Sequence, residues 1–142
     1  MSIMADVLEK LSRDIIKYDP LPVGMYQATV RGLPELKPIG AKQTPAAVFT
    51  MTGFVPLQSI DPSANCGDLT TREMPLTFFL TDAALWRLKK FLDDLGVEEG
   101  NLTLKARIDQ APNRQCNVSI RHGMTKGDNP TTFAEITHTA KL

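Results

Sequence analysis

The chain has 142 residues, 42% hydrophobic and 23% charged, and its 16 basic and 16 acidic side chains cancel. One domain accounts for this length, burying about two thirds of the surface that the unfolded chain exposes, and the composition excludes disordered and fibrous classes. The zero net charge removes the whole-molecule positive field that steers many duplex-binding proteins, so any nucleic-acid contact must rest on local patches.

The opening residues, MSIMADVLEKL, carry Asp6 and Glu9 and no long apolar run. Neither a signal peptide nor a membrane span is expected, and the expected location is the cytoplasm, without membrane contact. Met4, Val7, Leu8, Leu11 and Ile15 recur at helical spacing, with Glu9, Lys10, Arg13, Asp14 and Lys17 around the other side. An amphipathic helix over residues 1–18 follows, ended by Asp19-Pro20, because proline disfavours the helical conformation in the residue before it. A single domain is then expected over residues 20–142.

MYQATVR alternates as a strand, with Tyr26, Ala28 and Val30 on one face and Gln27, Thr29 and Arg31 on the other. A loop carrying Gly32, Pro34, Pro38 and Gly40 leads to a second strand, AAVFTMTGFV, in which Gly53 suggests a bulge. Residues 56–75 are rich in Ser, Asp, Asn, Gly and Pro and read as an irregular excursion. PLTFFL reads as a buried third strand.

The helix TDAALWRLKKFLDDLG, residues 81–96, has Thr81 as its expected N-cap and Gly96 as its expected left-handed end. Leu85, Leu88, Leu92 and Leu95, with Ala84 and Phe91, form its apolar stripe, and Trp86 sits at the margin. Asp93 and Asp94 lie one turn from Lys89 and Lys90 and can pair with them, so the helix reads as core-packing with solvated charges and not as a basic reader. Leu102, Leu104, Ala106 and Ile108 alternate with Thr103, Lys105, Arg107 and Asp109, and QCNVSIR alternates in the same way. A hairpin with one oily and one polar, basic face is expected, followed by the TKGDNP turn and a closing strand, TTFAEITHT.

The expected fold is α+β and mostly β: a small antiparallel OB-like barrel or a curled open sheet, with one helix between the third and fourth strands and a short N-terminal helix. Both closures remain open at this level.

The lead-in LPVGMYQATV, the stretch KQTPAAVFT, and the arginine-bearing strand that runs into a Trp-containing helix, TREMPLTFFLTDAALWRLKKFLDDLG, resemble a family of small uncharacterised phage-encoded proteins. They are similar, more loosely, to phage single-stranded-DNA-binding and recombination-associated proteins. The resemblance covers roughly residues 20 to 140, and the 77–96 block is its most specific part. It implies an OB-like accessory protein of phage replication or recombination in the host cytoplasm, with phage or host replication proteins as further partners. The chain departs from many single-strand binders in ending ITHTAKL, with no acidic run, which argues against recruitment of partners by an acidic tail.

Single-strand binding needs cations along the phosphate track and aromatic faces on which bases stack. The expected hairpin places Lys105, Arg107 and Arg121 on one polar stripe, Arg114 and Lys126 flank it, and Arg31, Lys37 and Lys42 add a second basic stretch. Phe49 and Phe133 fall out of phase with apolar neighbours and are candidate stacking platforms, with core packing as the alternative for each. A polar strand face kept only for solubility is the alternative for the stripe.

No nucleophile elbow, phosphate-cradling glycine loop or metal-binding helix motif is present, and Cys66, Cys116, His122 and His138 form no clustered ligand set. A non-catalytic binding protein without metal or cofactor is expected. Its partner is single-stranded DNA, with a homodimer through strand edges as a candidate assembly. The alternative is a phage protein-interaction or assembly module acting through the N-terminal helix or the 56–75 loop.

Overall fold

Tyr26, Ala28 and Val30 are fully buried, and so are Cys116, Val118 and Ile120, as the two alternations predict. In the computed structural model, which describes residues 18–142, these side chains belong to neighbouring strands of one sheet. The segment expected to form the N-terminal helix lies outside the described residues, except for Tyr18.

The described elements are β1 (Gly24–Val30), β2 (Glu35–Ile39), β3 (Thr44–Pro56), a 3-10 turn (Leu69–Thr71), β4 (Met74–Phe79), α1 (Leu85–Asp94), α2 (Leu104–Ile108), β5 (Gln115–Met124) and β6 (Thr132–Ala140). Mostly β architecture is thus found, as one antiparallel six-stranded sheet with two helices among the described residues. Among these residues no helix is long and apolar enough to cross a membrane.

Strand β3 organises the sheet. β2 pairs with Thr44–Val48 and β1 with Met51–Pro56, while β4 pairs with Ala46–Met51 and so overlaps both. β4 must therefore occupy one edge of β3, leaving β1 and β2 in line along the other as one interrupted strand. β5 pairs with β1, and β6 with β5. Gly53, at φ +65°, sits where the β1–β3 register slips between Gln27 and Thr29, which is the bulge expected there.

β2 corrects the expected loop over its span. Pro38 lies opposite Pro45, and two prolines can face each other only at a position where neither has to donate to the ladder. Turn residues at both ends of β2 hide a strand that its own proline does not forbid.

The larger correction concerns the expected hairpin. Residues 104–108 form helix α2 and not a strand, so two helices instead of one precede β5. Thr103 Oγ1 accepts from the Ala106 N–H at 3.2 Å and caps the helix. Leu104, Arg107 and Ile108 share one helical face, a spacing that the eight-residue alternation from Leu102 to Asp109 masks.

Helix α1 begins later than expected. Its N-cap is Ala84, with no side-chain cap, and Thr81 contributes its backbone carbonyl to Ala84 and Leu85 instead of its hydroxyl. The far end matches the expectation: Gly96 is left-handed at φ +76°, Gly96 N–H donates to Asp93 O, and Val97 N–H donates to Leu92 O. Leu88, Phe91 and Leu92 are buried by this helix.

No backbone pairing joins β4 to β6, so the sheet does not close. Tracing the antiparallel pairings around the sheet makes these two edges run in the same direction, and they approach each other. α1 spans the gap. Phe91 stacks on Phe78 of β4 with ring centroids 5.0 Å apart, while Lys90 Nζ donates to Thr139 O of β6 at 2.7 Å. Thr139 Oγ1 in turn donates to Asp94 at 2.7 Å.

The 57–73 segment is irregular, as expected, but it is anchored. Asp19 N–H donates to Asn65 O and Asn65 N–H to the Asp19 carboxylate, each at 2.8 Å. Arg72 reaches the carbonyls of Asp19 and Cys66 at 3.0 Å, and Cys66 is buried.

Candidate nucleic-acid interface

The structure divides the predicted site residues. Phe49 is fully buried and makes edge contacts with Phe78 and Phe91, with centroids 5.7 and 5.0 Å apart. It is a core residue and not a stacking platform. Its strand phase is shared with Ala47 and Met51, which are buried as well, and the half-exposed Val48 is the outward neighbour.

Arg107 is also withdrawn. It is 2% exposed, and its Nη2 donates to Asp93 Oδ1 at 2.7 Å and to Val97 O at 2.8 Å. Once α2 replaces the expected strand, Arg107 faces α1 and ties the two helices together. The same pairing, with Lys89 adding a second cation, holds the Asp93 carboxyl below its ordinary range. Lys105 remains exposed, but on α2, so the stripe expected with Arg107 and Arg121 does not exist. Arg114 donates to Gln110 O at 2.9 Å and Gly96 O at 3.0 Å and serves the α1–β5 connection.

The other basic residues are at the surface. Arg31 reaches across β3 to pair with Glu73, and Lys37 lies 3.5 Å from Glu35 on its own strand. Lys42 is in the β2–β3 turn and Lys126 in the β5–β6 turn, both exposed. Arg121 is exposed on β5, directly across from Glu135 of β6.

Phe133 is 40% exposed on the outward phase of β6, opposite Gly123. A Cβ at Gly123 would lie 2.7 Å from Phe133 Cζ, so the ring is laid over the glycine and held in place by it. Phe79, 42% exposed, was expected inside an apolar run. Its phase identifies it: Met74, Leu76 and Phe78 point inward, while Pro75, Thr77 and Phe79 point out. Lys37, Ala46 and Phe79 are aligned across three strands, with the buried alanine between the cation and the ring.

Trp86 is 60% exposed, and the Arg87 guanidinium lies 5.4 Å from the centre of its ring. Lys89 and Lys90 pair with Asp93 and Asp94 at 3.3 and 2.7 Å, as the helical spacing predicts.

The outer surface of β3 and β4 with the neighbouring β6 therefore carries two exposed rings, Phe79 on β4 and Phe133 on β6. Phe79 lies toward the turn that carries Lys42, and Phe133 toward the turn that carries Lys126. Thr50, Thr52, Thr77 and Pro75 lie on the surface between them. Among the described residues no group of three or more His, Cys, Asp or Glu side chains is placed to hold a metal ion. Cys116 is fully buried, and burial pushes its thiol up to about 12, which leaves it a poor nucleophile.

No known protein family matches the chain, and no curated protein matches it significantly.

Proposed function

We propose that the protein is a non-catalytic single-stranded-DNA-binding accessory protein with an OB-like domain, acting in phage replication or recombination. With β1 and β2 counted as one interrupted strand, the order β4, β3, β1, β5, β6, the parallel facing edges and the helices between β4 and β5 agree with the partly open Greek-key barrel of OB domains. Such domains bind oligonucleotides on the face of their second and third strands, between two loops. The counterparts here are the outer face of β3 and β4 and the turns carrying Lys42 and Lys126.

The observation that carries the reading is the pairing of an exposed ring with a basic turn on either side of the unpaired β4–β6 edge: Phe79 of β4 with Lys42, and Phe133 of β6 with Lys126. Lys37 and Arg31 lie along the track between, each with a carboxylate that a phosphate can displace. Stacking on rings tolerates any sequence, and phosphate contacts make affinity fall as salt rises.

The test is a titration of labelled mixed-sequence single strand and matching duplex at two salt concentrations. Preferential, salt-sensitive single-strand binding is expected. Lys42→Glu combined with Lys126→Glu should weaken it and flatten its salt dependence, whereas no binding at low salt would reject the proposal in favour of a protein-interaction module.

A further inference from the structure

Beside the proposed face, where β4 and β6 fail to pair, α1 roofs a cleft of about 350 Å³. That is at the lower end of the roughly 300–1,000 Å³ typical of small-molecule sites. Leu76 and Ile136 give it apolar walls, Thr77 and His138 give it polar edges, and Trp86 and Arg87 stand on the helix side. The indole is 60% exposed, and the guanidinium beside it is 5.4 Å from the ring centre.

The charges in the cleft are not equivalent. Lys90 is engaged by Asp94 and by the Thr139 carbonyl, each at 2.7 Å, and its charge is balanced there. Arg87 lies against the neutral indole, which holds it in place, and it has no carboxylate partner among the described residues. His138 Nδ1 is 3.1 Å from Thr137 Oγ1, so its second ring nitrogen is the one left to meet a ligand. An aliphatic side chain would fill the apolar walls but make no use of the ring face and the cation. A nucleobase uses all four features: a flat π face for Trp86, polar edges for Thr77 and His138, a small body for the cleft and an attached phosphate for Arg87.

We infer that this cleft holds one unstacked nucleobase of a bound single strand, stacked on Trp86 with its phosphate at Arg87. The assignment rests on the single-strand reading above and adds to it a discrete base subsite outside the β3–β4 face. It also gives Trp86 a binding role that the helix as a whole does not have.

Trp86 is the only tryptophan in the chain, so the tryptophan emission of the protein comes from this residue alone. The full-length protein is titrated with an oligothymidylate of about 15 nucleotides, within the span that one OB-like domain covers. Tryptophan emission is followed in parallel with the anisotropy of an end-labelled copy. Emission should be quenched along the same isotherm as the anisotropy, Trp86→Ala should weaken binding about 5- to 150-fold, and Trp86→Phe should restore most of the loss. If anisotropy shows binding while emission and the Trp86→Ala affinity stay unchanged, the subsite is wrong and single-strand binding stands. If anisotropy shows no binding at low salt, both fall. Quenching by thymidine monophosphate as tight as by the oligomer would replace the strand base with a free nucleotide and overturn the assignment.

Discussion

Phe49 and Phe79 lie in neighbouring paired strands of one sheet, yet they have opposite roles. Phe49 is locked between Phe78 and Phe91 under α1, whereas Phe79 stands at the surface across Ala46 from Lys37. The difference is one of phase. On a pleated strand a one-residue step moves a ring from core to solvent, so of the adjacent Phe78 and Phe79 one packs the core and the other stands at the surface.

The largest expected effect is on the interior. Phe49→Ala removes a ring that fills the space between β3, β4 and α1, and should destabilise the fold by about 3–5 kcal/mol, read from the urea midpoint. Single-strand affinity, measured where the variant is still folded, should not change. A large affinity loss there would break the separation of core and face.

Arg107→Ala comes next, with an expected loss of about 1.5–3 kcal/mol, because it removes charge-assisted hydrogen bonds from a buried position. Its salt dependence of DNA binding should match the wild type. If Arg107→Ala instead reduced the salt slope as a phosphate contact does, the burial of this arginine between the helices would be contradicted.

The exposed rings should behave in the reverse way. Phe79→Ala and Phe133→Ala should each cost roughly 1–3 kcal/mol of single-strand affinity while changing the urea midpoint little. Phe133→Ala should show the larger stability change of the two, since it uncovers Gly123.

A separate prediction concerns alkaline pH. Burial pushes the Tyr26 hydroxyl and the Cys116 thiol each up to about 12, from ordinary values of 10.0 and 9.0. Groups whose folded pKa is raised stabilise fully below the unfolded pKa and lose that contribution as pH rises toward the folded value. Stability should therefore decline between about pH 9 and pH 12, with Cys116→Ala flattening the first part of the decline. A flat profile over that window would show that neither group is held from solvent as described.

The legible parts of the molecule are those in which a local pattern repeats for long enough. Tyr26, Ala28 and Val30, Cys116, Val118 and Ile120, and the Leu88, Phe91 and Leu92 stripe all bury as their periods require. Gly53 and Gly96 adopt the left-handed conformations that a bulge and a helix end ask of glycine. The candidate site was less legible. Lys42, Lys126 and Phe133 stand exposed where a binding face could use them, but Phe79 was absorbed into an apolar run and Trp86 into a helix, because exposure at the margin of a pattern depends on what packs beside it.

What the sequence determined by itself was therefore the set of strands with a sustained alternation, the stripe of α1 and the ion pairs one turn apart on it, all consequences of local geometry. Only the tertiary structure decided that residues 104–108 coil instead of extending, since the Thr103 cap and the demand of Asp93 and Val97 O for the Arg107 guanidinium outweigh an alternation of eight residues. It likewise decided that β4 and β6 meet without pairing and leave Trp86 over a cleft, because the approach of two strands so distant in sequence depends on every pairing that links them around the sheet.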